Sequence, residues 1–294
     1  MRLNYISQIK SNLKKSATIS TKRPTSNILD GSYISVYKGR SLNFDDLREY
    51  VPGDDVKDID WKATARSQTP LVREYIAEKK HNIMFVLDTN KRMLAHTGKM
   101  AEKKDVALYT AGTLAYLVSR NGDYISSVFS TERSMQYFPF KTGLMNIENI
   151  LQAYDKALTP RNESGIVRAL DYIMRNIRRR MIVIIVTDME GKRSISDTLF
   201  KRLATMHDVL LIDISDTDAS GSIVYDVETF DFLPDYFTKD KKLLKREAKR
   251  KEQIEKESSD KLKKNGIVWS KFDNTDDIAV KITELLARHK LEKR

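Results

Sequence analysis

A three-layer α/β fold around a mainly parallel sheet is what this sequence predicts, on three observations. Asn82–Asp88 (NIMFVLD) and Met181–Thr187 (MIVIIVT) are uninterrupted apolar runs, the pattern of strands covered on both faces in a parallel sheet. Strand-like and helix-like patterns alternate from residue 82 onward, which is the signature of consecutive βα units. Both apolar runs lead into an aspartate, Asp88 and Asp188, and open α/β sheets place their ligands beyond the carboxyl ends of the strands.

The elements follow from the N-terminus. Leu3, Ile6, Ile9 and Leu13 recur at helical spacing within residues 1–15, predicting an amphipathic helix that docks on the domain behind it; a basic helix of this kind can also lie on a membrane surface. Residues 16–30, Ser/Thr-rich with Pro24, read as a linker. Ser32–Tyr37 and Leu71–Ile76 alternate as strands do, so residues 31–80 form a β-rich extension ahead of the main domain, residues 81–294. Within that domain Lys99–Arg120 is helical, Tyr124–Phe129 a strand after the Asn121-Gly122-Asp123 turn, and Met135–Phe140 an edge strand. Leu144–Leu158 and Gly165–Ile177 are helical, Ser194–Met206 is a helix, Val209–Ile214 a strand, and Ile267–Phe272 with Asp276–His289 close the chain. Lys239–Lys264 is a charge-dense helix with the few apolar anchors Leu243, Leu244, Ile254 and Leu262, expected to lie along the sheet on a narrow stripe.

With 294 residues, 40% hydrophobic and 32% charged, the composition is that of a globular protein with a charged surface. There is no apolar run of ~18 residues and no secretory signal pattern, and the expectation is a cytoplasmic protein. Cysteine is absent, which excludes disulfides, thiol catalysis and Cys-based zinc sites. The net charge of +11 suits a polyanion, and a nucleic-acid face on the 239–264 helix is the alternative function; acidic and basic residues are interspersed along most of the chain, which favours a solvated surface. The four histidines lack metal-ligand spacing, Gly98-Lys99 lacks the upstream glycine of a phosphate loop, and no nucleophile elbow is present.

The densest pattern is residues 39–78, with Gly39, Arg40, Phe44, Arg48, Tyr50, Pro52, Gly53, Asp54, Asp55, Ile59, Asp60, Trp61, Ala63, Ala65, Arg66, Val72, Arg73 and Glu78 in one window. The carboxylates Asp54, Asp55, Asp58 and Asp60 lack EF-hand spacing; Arg48, Arg66 and Arg73 are at hand to neutralise them, giving an ion-paired loop set against the sheet, with Trp61 as a core anchor. This window resembles the defining motif of the domain-of-unknown-function 58 family. The resemblance implies a von Willebrand factor A (Rossmann-like) domain, a protein-binding role beside a MoxR-type AAA+ ATPase in assembling or activating client complexes, and no catalysis.

It further implies a metal-ion-dependent adhesion site, in which Asp88 matches the first aspartate, Asn90 and Arg92 stand at the two serine positions, Ser164 matches the threonine and Asp188 the last aspartate. Asn90 and Ser164 keep oxygen donors. Arg92 cannot be a ligand, having five donors and a permanent charge. The site is therefore expected to be degenerate, with Arg92 paired to Asp88 or Asp188 and no cofactor; magnesium on Asp88, Asn90, Ser164 and Asp188, supporting a hydrolase that also uses the 54–60 loop, is the competing expectation.

Overall fold

The computed structural model describes residues 4–20, 46–67, 69–74, 80–131, 134–163, 165–216, 225–226, 231–232 and 240–292. The expected strand Ser32–Tyr37 and the motif positions Gly39, Arg40, Phe44 and Glu78 lie outside them. The elements are α1 (Tyr5–Ser20), β1 (Asp46–Glu49), α2 (Trp61–Ser67), β2 (Leu71–Glu74), β3 (Asn82–Leu87), α3 (Lys103–Arg120), β4 (Tyr124–Ser130), β5 (Met135–Lys141), α4 (Leu144–Ala157) and α5 (Ile166–Asn176). Then come β6 (Ile182–Asp188), α6 (Met189–Ser194), α7 (Asp197–Met206), β7 (Asp208–Ile214), the short pair β8 (Tyr225–Asp226) and β9 (Asp231–Phe232), α8 (Lys241–Lys264), β10 (Val268–Phe272) and α9 (Ile278–Glu292). Among the described residues there are also two 3-10 turns, Val56–Asp58 and Lys91–Leu94.

Six strands form the main sheet in the order β10-β7-β6-β3-β4-β5. All neighbours are parallel except β4 and β5, so β5 is an antiparallel edge. Counted by first use, that is the doubly wound order 3-2-1-4-5-6, whose strand order reverses between β3 and β6. Alternation along the strands feeds two cores. Ile83, Phe85, Leu87, Ile182, Ile184, Val186, Leu210 and Ile212 join the core under α1, α3, α4 and α9. Met84, Val86, Val183, Ile185, Val209 and Leu211 join the core under α5, α7 and α8. The three layers are therefore written in the period-2 pattern of continuous apolar strands.

α1 docks as expected, with Tyr5, Ile6, Ile9 and Leu13 buried in the first core. Glu148 of α4 accepts from the Tyr5 and Ile6 amides at 3.2 and 3.0 Å, a carboxylate from a remote helix serving the orphan donors of α1. Ile9 Cδ1 would lie 2.4 Å from a Cβ at Gly112, so a glycine on α3 is what admits the close approach of α1. The helix runs on to Ser20, so residues 16–20 are helical, a correction to the linker reading: docking of the apolar stripe stabilises a helix that propensity alone would not extend. The helix expected over Ser194–Met206 is α7, which starts at Asp197 because Ser196 caps it, its hydroxyl accepting from Leu199 N at 3.2 Å; the short α6, capped by Asp188, precedes it as an element of its own.

Candidate functional site

The sheet's switch point brings Asp88, after β3, beside Asp188, at the end of β6. Asp88 is fully buried. Its Oδ1 accepts from Asn90 N at 3.0 Å and its Oδ2 from Thr187 Oγ1 at 2.6 Å. Its carbonyl accepts from the buried Tyr154 hydroxyl at 2.7 Å. Asp188 caps α6, its Oδ1 accepting from Gly191 N at 2.8 Å. A Cβ on Gly191 would sit 1.9 Å from Thr187 Oγ1 and 2.4 Å from Asp88 Oδ2; a glycine there lets α6 begin directly against the acidic pair.

Two cations meet on one oxygen. Arg92 Nε lies 3.4 Å and Lys103 Nζ 3.3 Å from Asp188 Oδ2. Lys103, buried at the start of α3, also pairs with Asp216 beyond β7. Arg92 is placed by the 3-10 turn whose first amide groups Asn90 caps, Asn90 Oδ1 accepting from Arg92 N at 2.8 Å. The electrostatics differ between the two aspartates. Burial pushes the Asp88 carboxyl up to about 6, with the Asp188 charge adding to it and the bonds from Thr187 and Asn90 and the Arg92 charge opposing. Burial also raises Asp188, but the Lys103 and Arg92 charges outweigh it and hold that carboxyl below its ordinary value. Burial opposes the Lys103 charge, and Asp188 and Asp216 outweigh burial. The result is one ionised aspartate clamped by an ammonium and a guanidinium, beside a second whose proton is held more tightly.

A second buried charge cluster lies one strand further on. Lys192 of α6, fully buried, donates to Asp213 of β7 at 2.6 Å and to both Glu255 oxygens of α8 at 3.1 and 3.2 Å, and Lys271 of β10 reaches Glu255 at 3.1 Å. Burial raises Asp213 to about 6 against the pull of Lys192. This cluster pins α8 to the sheet.

The signature loop is a separate small unit. β1 and β2 pair antiparallel. Asp54 takes Arg48 in a fork of 2.5 and 2.6 Å and accepts from Val51 N at 3.0 Å; the Arg48 bonds and the Val51 amide hold its carboxyl down at about 2. Gly53 sits in this turn at φ +115°, a conformation that glycine adopts without strain. Asp55 caps the 3-10 turn through Lys57 N at 3.0 Å, and Asp60 caps α2 through Lys62 N and Ala63 N, both at 3.0 Å. Tyr50 N donates to Pro70 O at 2.9 Å. Pro52 and Arg66 are exposed, and Asp58 is half-buried in the 3-10 turn. Arg73 pairs with Leu47 across the ribbon through its backbone; its side chain lies outside the described residues.

Trp61 corrects the expectation of a core anchor: it is 66% exposed, with Val51 at 57% and Val56 at 56%. Val72 is the buried hydrophobic residue of the ribbon and belongs to neither core of the sheet domain. The loop is held by capping and ion pairing, and Val51, Val56 and Trp61 are exposed on it.

Ser164 lies outside the described residues. Its loop is visible on both sides: Asn162 O accepts from Lys91 N at 2.9 Å, and Gly165 abuts Ser130, a Cβ there falling 2.5 Å from the Ser130 Cβ. Among the described residues, no group of three or more His, Cys, Asp or Glu side chains is placed to hold a metal ion. Lys103 escaped the sequence reading, although it stands on the same helical stripe as Ala107, Ala111, Leu114 and Val118. A lysine heading an apolar stripe is the signal of a buried charge with a partner. Asp213 within VLLIDI carries the same signal.

The family model described as protein of unknown function DUF58 matches residues 46–221. Uncharacterized proteins of Mycobacterium bovis and Mycobacterium tuberculosis are 28% identical to the chain over 202 residues, 67% of this chain and 62% of theirs; the match spans less than two thirds of those relatives. Among solved structures, the conserved hypothetical protein BatB from Bacteroides thetaiotaomicron has a TM-score of 0.45 at 15% identity, over 71% of this chain and 98% of that one. An aerotolerance-related membrane protein from Bacteroides fragilis has a TM-score of 0.44 at 15% identity, over 71% and 99%. A von Willebrand factor type A protein from Catenulispora acidiphila has a TM-score of 0.40 at 9% identity, over 73% and 43%. Among the described residues no helix is long and apolar enough to cross a membrane. With the family model covering more than half of its length, the chain belongs to the DUF58 family of proteins of unknown function.

Proposed function

We propose that this protein is a non-catalytic binding and adaptor module of the cytoplasm, working with a MoxR-type AAA+ ATPase, through a metal-independent version of a metal-ion-dependent adhesion site. The partner class comes from the family resemblance alone. The observation that carries the reading is the pair of cations on Asp188 Oδ2, Arg92 at 3.4 Å and Lys103 at 3.3 Å. A magnesium ion asks for oxygen ligands at about 2.0–2.1 Å in octahedral array. The oxygen it would take faces an ammonium and a guanidinium, and a divalent ion brought within ~4 Å of them is repelled by several kcal/mol at an effective dielectric constant near 20. The residues present do not fit the ion. The same internal neutralisation argues against hydrolysis: Asp188 is engaged by Lys103 and Arg92, and the hydroxyl that meets Asp88, that of Thr187, is itself fully buried.

What remains for function is surface. The Arg92 side chain is 22% exposed, and Val51, Val56 and Trp61 are each exposed on a loop fixed by its own polar bonds. Aromatic and Arg side chains in preorganised positions are the usual anchors of protein interfaces.

The test is complex formation with a purified MoxR-type ATPase. Binding is expected to survive EDTA and to be lost in Arg92→Glu and in Trp61→Glu. A complex that needs magnesium, or one indifferent to both substitutions, overturns the reading.

A further inference from the structure

At the same end of the sheet as the acidic pair, a cleft of about 590 Å³ opens between Thr131 and Gln136, the last turns of α4 and the segment 159–162. Its size is within the 300–1,000 Å³ of ordinary ligand sites. The charges on it are of one sign: Lys156 and Arg161 line it, with no carboxylate among the described lining residues. Arg92 and Lys103 are engaged with Asp188, and Lys192 and Lys271 with Glu255, while exposed Arg168 donates to the Thr131 carbonyl at 3.2 Å. Lys156 and Arg161 are exposed, and no ion pair joins either to a carboxylate among the described residues.

The rim is rigid. Asn162, 4% exposed, donates from Nδ2 to the Ala157 carbonyl and from its amide to Thr159 O at 3.1 Å. Its own carbonyl takes Lys91 N at 2.9 Å, which ties the cleft to the turn that carries Arg92. Besides the two cations the lining is small and mixed, with Ala153 and Pro160 beside Thr131, Gln136, Thr159 and Asn162.

We infer that this cleft is a binding site for an acidic, extended peptide segment of a protein partner. It deepens the protein-binding reading and rests on it. A free small anion would stay hydrated on this open rim and leave Ala153 and Pro160 wet. A peptide covers Ala153 and Pro160 with an apolar side chain and sets a carboxylate at Lys156 or Arg161, which is the core-and-rim arrangement of an interface. The prearranged segment 159–162 lowers the ordering cost of binding.

The experiment titrates the isotope-labelled full chain with a peptide of alternating Glu and Leu at about 150 mM salt, where the Debye length is about 8 Å and diffuse attraction to the basic surface is damped. The amide signals of Thr131, Gln136, Ala153 and Asn162 are expected to shift on binding. Lys156→Glu with Arg161→Glu is expected to weaken the peptide at least tenfold, whereas Lys249→Glu with Arg250→Glu on α8 is expected to leave it unchanged. Shifts confined to α8, or equal loss in both double variants, would show attraction by net charge and overturn the inference. Displacement of the peptide by an equal concentration of inorganic phosphate or free glutamate would assign the cleft to a small anion and overturn it as well. The cleft substitutions leave Arg92, Lys103 and Trp61 in place. A wild type that binds the ATPase but shows no response in the cleft therefore sinks this inference alone.

Discussion

Lys103 is the residue on which the site's charge balance turns. Its ammonium lies between Asp188 and Asp216 under almost complete burial. Removing one partner of a buried pair leaves an uncompensated charge, so Lys103→Met should cost about 3–5 kcal/mol in urea denaturation at neutral pH. Part of that loss should return at low pH, where the orphaned carboxylates take up protons. Gly191→Ala forces a methyl group into Thr187 Oγ1 and Asp88 Oδ2, an overpacking expected to cost roughly 1–3 kcal/mol.

The raised carboxyls set a pH dependence with a definite sign. Asp88 and Asp213 stand at about 6 against an ordinary 3.8. Between those values the folded chain holds protons that the unfolded chain has released, so stability falls as pH rises from about 4 to 6 and then levels. Asp188 and Glu255, held below their ordinary values, act oppositely: their contribution is complete above the unfolded carboxylate range and is lost as pH falls below it. Asp88→Asn should therefore flatten the fall between pH 4 and 6 in a denaturation series; an unchanged slope would remove Asp88 as its source.

At the scale of elements, α8 divides in two. Lys241–Lys251 carries seven Lys or Arg and one Glu, and its described side chains are exposed or half-buried. The C-terminal half is anchored by Ile254, Ser258 and Leu262 and by the Glu255 cluster. Leu262→Ala is expected to cost about 2–5 kcal/mol, whereas charge changes at Lys249 and Arg250 should stay within about 0.5 kcal/mol. The ribbon behaves in the opposite way to an ordinary Trp-bearing element: Trp61→Ala should leave stability within about 0.5 kcal/mol while removing the ATPase complex.

The whole molecule shows what the sequence made legible. Long apolar runs and helical stripes are local signals, so the parallel sheet, its edge strand and the docking of α1 could be read directly, whereas the antiparallel direction of that strand could not. The acidic strand tips could be read too, because position after a buried strand is also local. What could not be read depends on chain segments far apart in sequence. Lys103 meets Asp188 across 85 residues, and Lys192 meets Glu255 across 63. Trp61 was misjudged because hydrophobicity predicts burial on average, while the loop that carries it satisfies itself with Arg48–Asp54 and the Asp60 cap and leaves the indole outside.

The central claim is that the chain's own cations occupy the place of a divalent ion. Calorimetric titration of magnesium tests it most directly. Wild type should release no binding heat, and the Arg92→Ser, Lys103→Ala double variant, which restores an oxygen donor and vacates Asp188, should gain measurable magnesium affinity and a magnesium-dependent rise in Tm. Tight binding to wild type that disappears in Asp88→Ala would contradict the account.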